Sequence, residues 1–183
     1  MRVITGLARG RRLATQKGEN VRPTPERVKE ALFSALQFQI EGRRVLDLFA
    51  GSGQLGIEAL SRGARQAVFV DASKEAAGIV QSNLEHTGFT DKSLVKNMDF
   101  ASYFMQNTEP FDIAFLDPPY RTGLIQRALP MTAEVMNKGG TIVCENPIGE
   151  EMPETAGDFV RVRTYRYGKI VISLYRHKDV IEE

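Results

Sequence analysis

The sequence predicts an α/β protein: a doubly wound, mostly parallel sheet of seven strands, preceded by a small N-terminal β-hairpin and helix. From Val45 onward, short apolar runs typical of buried strands alternate with amphipathic segments typical of helices. A glycine-rich turn, Gly51-Ser52-Gly53, joins the first of those strands directly to a helix. Near the C-terminus, two β-rich segments flank Tyr167-Gly168, which favours an antiparallel hairpin.

The first 42 residues are predicted to form an extension of this sheet. Residues 2–5 and 11–14 are expected as two short strands. Thr24 is placed to cap a helix whose first position is Pro25. That helix has apolar residues at helical spacing, namely Val28, Ala31, Leu32, Ala35 and Leu36. We therefore expect residues 1–42 as a basic extension and residues 43–183 as the main domain.

The main domain is expected to alternate strands with helices. One helix follows the glycine turn, a second runs from a Ser73 cap to Gly88, and a third begins near Thr122 with a kink at Pro130. The predicted strands cover residues 45–49, 66–70, 93–96, 111–116, 141–144, 159–165 and 170–175.

The composition is that of an ordinary soluble globular protein. With 183 residues, 42% hydrophobic and 26% charged, the chain is long enough for one sizeable core. No apolar run approaches the roughly 18 residues of a membrane span, and the opening residues lack the apolar stretch of a signal peptide. The single Cys144, with His86 and His177, indicates neither a disulfide nor a metal site. We therefore expect a cytoplasmic protein without membrane or metal partners.

Charge is distributed unevenly along the chain. Residues 1–44 hold ten basic and four acidic side chains, residues 45–160 hold eight and sixteen, and residues 161–183 hold six and three. The basic ends predict contact with a polyanion, although a solvated charged face is the simpler alternative. No aromatic residue is interleaved at the N-terminus, so phosphate contact is favoured there over base stacking. The candidate phosphate contacts are Arg2, Arg9, Arg11, Arg12, Lys17 and Arg22.

The glycine turn has the spacing of a nucleotide-binding motif. Gly51, Gly53 and Gly56 match the pattern GxGxxG, and Asp71 follows Gly51 by 20 residues. The glycines let the backbone approach a ligand, and the N-terminal N–H groups of the helix face it. Taken alone, the pattern fits a tight strand-to-helix connection equally well.

Four aspartates are expected at one edge of the sheet. Asp47, Asp71, Asp99 and Asp117 lie at or just after the carboxyl ends of four successive strands, where open parallel sheets bind ligands. Any one of them alone is more simply explained as a turn former or helix cap. Four aspartates at the ends of four successive strands favour a ligand site.

The chemistry of these acids favours a nucleoside-bearing cofactor. Asp71 is placed to accept from both ribose hydroxyls, and Asp99 from an adenine amino group, with Met98 and Phe100 flanking the ring. Asp47 lies beside the glycine turn, where its charge repels a pyrophosphate and attracts a cationic amino-acid group. The pattern therefore points to S-adenosylmethionine rather than to NAD.

A second motif, Asp117-Pro118-Pro119-Tyr120, follows a strongly apolar strand. The two prolines stiffen the turn and remove two N–H groups, so that carbonyls and the Asp117 carboxyl remain as acceptors. Such acceptors suit an exocyclic amino group that attacks a methyl donor. Tyr120 can stack on a base brought out of its helix. A proline-rich turn with a core tyrosine is the alternative.

These motifs resemble the Class I S-adenosylmethionine-dependent methyltransferases that act on amino groups and, more closely, the RsmD family of 16S rRNA guanine-N2 methyltransferases. The resemblance rests on MRVITGLARGRRL, RPTPERVKEALF, LDLFAGSGQLGIEALSRGA, FVDAS, FLDPPY and the terminal Tyr167-Gly168, and it covers nearly the full length. Two departures are Pro25-Glu26, where the family more often has Thr-Asp, and Gln54, where a small residue is usual.

The resemblance implies a Rossmann-like methyltransferase fold and methyl transfer from S-adenosylmethionine to N2 of one guanine. The implied partner is 16S rRNA in an assembled or partly assembled small ribosomal subunit, and we expect a monomer. The implied cofactor-binding residues are Asp47, Ala50, Gly51, Gly53, Asp71, Ala72, Met98, Asp99 and Phe100. The implied catalytic residues are Asp117, Pro118, Pro119 and Tyr120. The implied RNA-binding and site-bordering residues are Arg2, Arg9, Arg11, Arg12, Arg22, Thr24, Arg27, Tyr167 and Lys169.

Three alternatives stay open. Another amino-methyltransferase, such as an adenine-N6 enzyme, shares the second motif, although no separate recognition domain for DNA is evident. A catalytically silent RNA-binding assembly factor would keep the same fold. An NAD-dependent oxidoreductase leaves Asp47 and residues 117–120 unexplained.

Overall fold

The computed structural model describes residues 1–18, 23–106 and 109–181. Its strands are β1 (Arg44–Leu48), β2 (Gln66–Asp71), β3 (Ser93–Asn97), β4 (Phe111–Leu116), β5 (Met136–Pro147), β6 (Thr155–Ala156), β7 (Phe159–Tyr167) and β8 (Ile170–His177). Its helices are α1 (Glu26–Ala35), α2 (Gln54–Ser61), α3 (Lys74–Thr87), α4 (Phe100–Gln106), α5 (Leu124–Ala133) and α6 (Lys178–Ile181), with a short 3-10 turn at Thr90–Lys92.

The strands form one sheet in the order β3-β2-β1-β4-β5-β8-β7-β6. Strands β1 to β5 pair with one another in parallel, and β8, β7 and β6 add antiparallel pairs, the first of them between β5 and β8. The predicted α/β class, the mostly parallel sheet and the C-terminal hairpin are thus confirmed. The described part of the sheet has eight strands rather than seven, because the two-residue β6 pairs with the start of β7 and is too short to show an apolar pattern.

The N-terminal segment pairs with itself as the short hairpin that its sequence predicts, although it does not form two full strands. An antiparallel bridge joins Arg2 to Arg12, and the N–H groups of Val3 and Leu13 donate to the carbonyls of Arg11 and Met1. Other backbone groups of the segment bond to α2 and α3: the N–H of Leu7 donates to the Ser61 carbonyl, and the N–H of Ala14 donates to the Asn83 side chain. The hairpin therefore lies as a strap across two helices.

Helix α1 begins at Glu26, one residue later than predicted, so Pro25 rather than Thr24 occupies the N-cap position, and no side chain caps the helix. The Thr24 hydroxyl donates to Glu145 instead. The apolar face of α1 is buried in the same hydrophobic cluster as one face of the sheet, with the rings of Phe33 and Phe115 5.5 Å apart. Residues 1–42 thus share their core with the main domain.

Helices cover both faces of the sheet. Apolar residues of α1, α2 and α3 pack on one face, and those of α4 and α5 pack on the other. Helix α5 contains Pro130 within its length and begins at Leu124, two residues later than expected. Within the described residues, no helix is both long enough and apolar enough to cross a membrane.

Candidate functional site

A cleft of about 980 Å³ lies at the carboxyl ends of β1 to β4. It spans the point between β1 and β4 where the order of the strands reverses, which is where doubly wound sheets bind ligands. The loops after these strands form the floor. The N-terminal extension closes one side with Met1, Thr15, Gln16 and Pro23.

Most of the predicted cofactor and acceptor residues line this cleft. They come from four loops separated in sequence, because parallel strands bring their carboxyl ends to a common edge. The lining includes Asp47, Ala50, Gly51, Asp71, Ala72, Met98, Asp99 and Phe100, together with Asp117, Pro118, Pro119 and Tyr120. Gly53, predicted with them, does not line the cleft and precedes α2 instead.

The glycines have separate structural roles. Gly51 and Gly53 adopt positive φ values of 60° and 80°, which form the tight turn. At Gly56 a Cβ atom would lie 2.4 Å from a ring carbon of Phe69, so only glycine lets α2 pack this closely on the sheet. Two of the three glycines thus shape the loop, and the third sets the position of the helix.

Asp47 occupies the anion position at the N-terminus of α2. Its Oδ2 accepts from the Gly56 N–H at 2.9 Å, and the residue is 2% exposed. Because a carboxylate already fills the place where helix N–H groups bind phosphate, a pyrophosphate would meet negative charge there. Burial raises the pKa of Asp47 to about 7.

Asp71 and Asp99 both bond to nearby backbone. The two carboxylate oxygens of Asp71 each accept one N–H, from Gly51 and Ser73, at 2.9 Å. Asp71 therefore ties the glycine turn to the loop after β2, and each oxygen keeps a further lone pair for a ligand. Exposed Asp99 accepts from the N–H and hydroxyl of Ser102, in the first turn of α4, and these bonds lower its pKa. Asp99 thus serves as a helix cap as well as a cleft residue.

The acceptor motif leads out of β4 into the cleft. Pro118 is buried, Pro119 is exposed and Asp117 is half-buried. The hydroxyl of half-buried Tyr120 donates to Glu145 Oε1 at 3.1 Å. Burial, and then the nearby charges of Glu145 and Asp47, raise the pKa of Asp117 well above its usual range.

Glu145 was not among the predicted site residues. It lies in β5, is 5% exposed, and its Oε2 accepts from the Thr24 hydroxyl at 2.7 Å. The signal that identified the four aspartates was present here too, since Glu145 follows the apolar run 141–144. Thr24, expected to face RNA at the border of the site, is buried and bonded inside the protein.

The remaining RNA-binding candidates lie outside the cleft. Arg9, Arg11, Arg12, Arg27 and Lys169 are exposed, and Tyr167 is half-buried beside the turn of the β7–β8 hairpin. The exposed Arg2 guanidinium pairs with Glu26 at 2.8 Å. Arg22 lies outside the described residues.

Gln54 occupies the position at which the sequence departs from the usual small residue. It is 6% exposed and lines the cleft at the start of α2. Among the described residues its Oε1 has no hydrogen-bond partner. No group of three or more metal-ligating side chains occurs in the described parts of the chain.

Known proteins resemble this chain over nearly its whole length. The family model described as Conserved hypothetical protein 95 matches residues 1–176. Bacillus subtilis YlbH is 39% identical over 183 residues, covering 97% of this chain and all of YlbH. The ribosomal RNA small subunit methyltransferase D of Escherichia coli K12 is 31% identical over 180 residues, covering 97% and 90%.

Solved structures agree with these relatives. The yhhF protein from Escherichia coli superposes with a TM-score of 0.85 at 31% identity, covering 97% of each chain. A Thermus thermophilus protein, TTHA0928, gives a TM-score of 0.80 at 29% identity, covering 96% of this chain and 99% of its own. The chain therefore belongs to the Conserved hypothetical protein 95 family, the RsmD family of rRNA methyltransferases that its motifs indicated.

Proposed function

We propose that this protein transfers a methyl group from S-adenosylmethionine to the exocyclic N2 of a guanine in 16S rRNA of the small ribosomal subunit. One observation carries the proposal. The acceptor motif at residues 117–120 lies in the same cleft as the acids at the carboxyl ends of β1, β2 and β3. A methyl donor and an amino acceptor need such a shared cleft, because the reacting atoms must be held close together.

The cleft fits S-adenosylmethionine better than a dinucleotide. Its volume of about 980 Å³ suits a nucleoside-bearing ligand. Asp47 at the N-terminus of α2 supplies a negative group for the cationic methionine end, where NAD would require a phosphate site. Asp71 would bind the ribose, while Met98, Asp99 and Phe100 would surround the adenine. The solved structure of SMU.776, described as a methyltransferase complexed with S-adenosylhomocysteine, shares the fold, with a TM-score of 0.67 at 14% identity.

Residues 117–120 orient the acceptor. Asp117 and the carbonyl of Pro118 would accept hydrogen bonds from the guanine amino group, directing its lone pair towards the methyl carbon. Tyr120 would stack on the base. When bound, S-adenosylmethionine supplies a methyl group on a sulfonium that leaves as a neutral thioether, so no strong base is needed. The displaced amine proton departs after transfer.

The N-terminal extension supports an RNA substrate. It forms one side of the cleft, and its exposed Arg9, Arg11 and Arg12 suit phosphates near a base held in the cleft. Contacts to phosphates carry no sequence information, so selection of one guanine would come from the shape of a folded substrate. An assembled or partly assembled small subunit provides such a shape.

Transfer of labelled methyl tests the proposal directly. The purified protein should label small subunits that lack this modification, and nuclease mapping should place the label on N2 of one guanine. Label on adenine or on DNA would overturn the guanine assignment. If no nucleic acid is labelled while S-adenosylmethionine still binds, the protein would instead be an RNA-binding assembly factor.

Cofactor affinity should fall at acidic pH because Asp47 titrates near neutrality. Its pKa is raised to about 7, so the carboxylate, and its attraction for the cationic methionine end, is lost as the pH falls through 7. By calorimetry, the Kd for S-adenosylmethionine should rise about tenfold per pH unit between pH 6.5 and 5.5. Asp47→Asn should bind weakly at pH 7.5 and show little pH dependence. A flat wild-type profile would argue against this contact.

Neutralising Arg9, Arg11 and Arg12 together should weaken RNA binding and reduce its salt dependence. Each lost phosphate contact lowers the slope of log K against log salt by about 0.7 to 0.9, so the triple glutamine variant should lose about 2 units of slope. Filter binding to small subunits over a salt series measures this. The matched control is Lys92→Gln with Lys138→Gln, at the amino ends of β3 and β5, away from the cleft. An unchanged slope in the triple variant would remove these arginines from the RNA surface.

A further inference from the structure

Glu145 joins three parts of the chain that are remote in sequence. Its Oε2 accepts from the Thr24 hydroxyl at 2.7 Å, and its Oε1 accepts from the Tyr120 hydroxyl at 3.1 Å. Thr24 lies just before α1 in the extension, and Tyr120 ends the acceptor motif. One buried carboxylate therefore connects the extension to the motif.

Strand register places Glu145 beside Asp117. Leu116 of β4 pairs with Cys144 of β5 in a parallel ladder, so Asp117 and Glu145 are the next residues of the two neighbouring segments. Asp47 of β1 pairs with Phe115, two residues before Asp117. Since side chains alternate between the faces of a sheet, all three acids belong to the face that α1 covers.

We propose that Glu145 is a positioning residue of the acceptor site, which holds the Tyr120 ring for base stacking and fastens the extension to the acceptor motif through Thr24. This inference rests on the proposed function. A tyrosine whose hydroxyl is held at its far end loses ring mobility, so less freedom is lost when a base stacks on it. The same carboxylate also holds Thr24. The Tyr120 ring therefore keeps a constant position relative to the N-terminal extension, which forms one side of the cleft.

The carboxyl of Glu145 also acts on the neighbouring acid. Buried Glu145 and half-buried Asp117 are adjacent carboxyls, which resist holding two negative charges at once, and two hydroxyl donors favour charge on Glu145 rather than on Asp117. The pKa values of both are raised, first by burial and, for Asp117, also by the charges of Glu145 and Asp47. Asp47 acts on this pair through its charge, and the Tyr120 phenol acts through its hydrogen bond to Glu145. Glu145 thereby keeps Asp117 a weaker acid.

Two variants separate the charge of Glu145 from its hydrogen bonds. Glu145→Gln keeps an acceptor oxygen but removes the charge, so Asp117 should become more acidic. The acid limb of kcat for methyl transfer should then move to lower pH by about one unit. Glu145→Ala should lower kcat by about tenfold to a hundredfold with little change in Kd for RNA, because it releases the ring without removing a phosphate contact. If Glu145 only stabilises the fold, we expect neither the shift of the acid limb nor a fall in kcat at an unchanged Kd for RNA.

Tyr120→Phe removes the donor of the same hydrogen bond, whose acceptor is Glu145. It keeps the stacking ring and removes the hydrogen bond to Glu145, so kcat should fall by about threefold to tenfold. Combined with Glu145→Ala it should add little, since both changes break one interaction. The control is Tyr175→Phe, whose buried hydroxyl donates to the Pro153 carbonyl at 2.6 Å away from the cleft. Additive losses, or an unmoved acid limb in Glu145→Gln, would overturn the assignment.

A measurement on the free protein keeps this inference separate from the proposed function. The titration of the Asp117 carboxyl, followed by ¹³C NMR, should shift to lower pH in Glu145→Gln whether or not rRNA is the substrate. A wild-type protein that methylates no RNA would reject the proposed function, and the NMR shift would still decide whether Glu145 acts on Asp117. An unshifted Asp117 titration would reject that action.

Discussion

Asp117→Ala is expected to lower kcat for methyl transfer by about a thousandfold while leaving RNA binding nearly unchanged. Loss of one positioned polar group that acts on the reacting atom costs about a hundredfold to a thousandfold. The loss for Asp117→Ala should lie at the upper end of this range, because Asp117 both orients the amine and localises its lone pair. It is only half-buried at the end of β4, so the truncation should leave the fold intact. Single-turnover transfer to small subunits measures the rate, and filter binding measures the affinity.

Two further variants interpret that loss. Asp117→Asn keeps an acceptor oxygen of the same size, so it should retain more activity than the alanine variant. Asp91→Ala removes an exposed acid from the 3-10 turn before β3, at the opposite end of the strands from the cleft, and should be as active as the wild type. Near-normal transfer by Asp117→Ala would exclude the acceptor role and leave Tyr120 and the proline carbonyls to position the amine.

The sheet and most of the cleft followed from sequence because their signals are local. Apolar runs identify buried strands, and an acid near the carboxyl end of such a run, or just after it, lies at the carboxyl edge of the sheet. Asp47, Asp71 and Asp117 were found in this way and do line one cleft. Glu145 gave the same signal, but Glu-Asn-Pro after residue 144 is also typical of a loop, whereas β5 in fact continues through Pro147.

The errors arose where a distant group decides the outcome. Thr24 before Pro25 has the local pattern of a helix cap, yet its hydroxyl is taken by a carboxylate 121 residues away. Residues 2–5 and 11–14 pair with each other as expected, but sequence did not show that they are also bonded to side chains of α2 and α3. No short window of sequence contains those partners. Local secondary-structure propensity therefore could not show that these groups bond to side chains far away in the sequence.

The strap is held by a buried charged cluster of Lys29, Glu58 and Arg62. Glu58 is fully buried; its Oε1 accepts from the Ile4 N–H at 2.8 Å and lies 3.4 Å from Lys29 Nζ. Its Oε2 accepts from the Thr5 N–H at 3.2 Å and lies 3.5 Å from Arg62 Nε. Lys29 Nζ also donates to the Arg2 carbonyl at 3.1 Å. The Glu58 carboxylate therefore binds both the backbone of the strap and the two cationic side chains.

Glu58→Gln should lower the free energy of unfolding by about 3 to 5 kcal/mol, because it leaves the buried Lys29 ammonium without its counter-charge. Urea unfolding followed by circular dichroism measures the change. Hydrogen exchange should in addition show faster exchange at the Ile4 and Thr5 amides, whose acceptor is weakened. The exposed ion pair between Arg2 and Glu26 provides the control, and Glu26→Gln should leave the unfolding midpoint unchanged.

Removing the whole ion pair distinguishes charge compensation from backbone anchoring. Lys29→Met leaves Glu58 with Arg62 and two N–H donors, so it should cost less than Glu58→Gln. In the double variant Lys29→Met with Glu58→Leu, no charge is left unpaired between these two positions, but the N–H groups of Ile4 and Thr5 lose their acceptor at about 1 to 3 kcal/mol each. Full recovery of stability in that double variant would show that the ion pair, rather than the backbone bonds, holds the strap. Persistent instability would show that Glu58 chiefly fixes the backbone of the strap, and with it the Met1 side of the cleft.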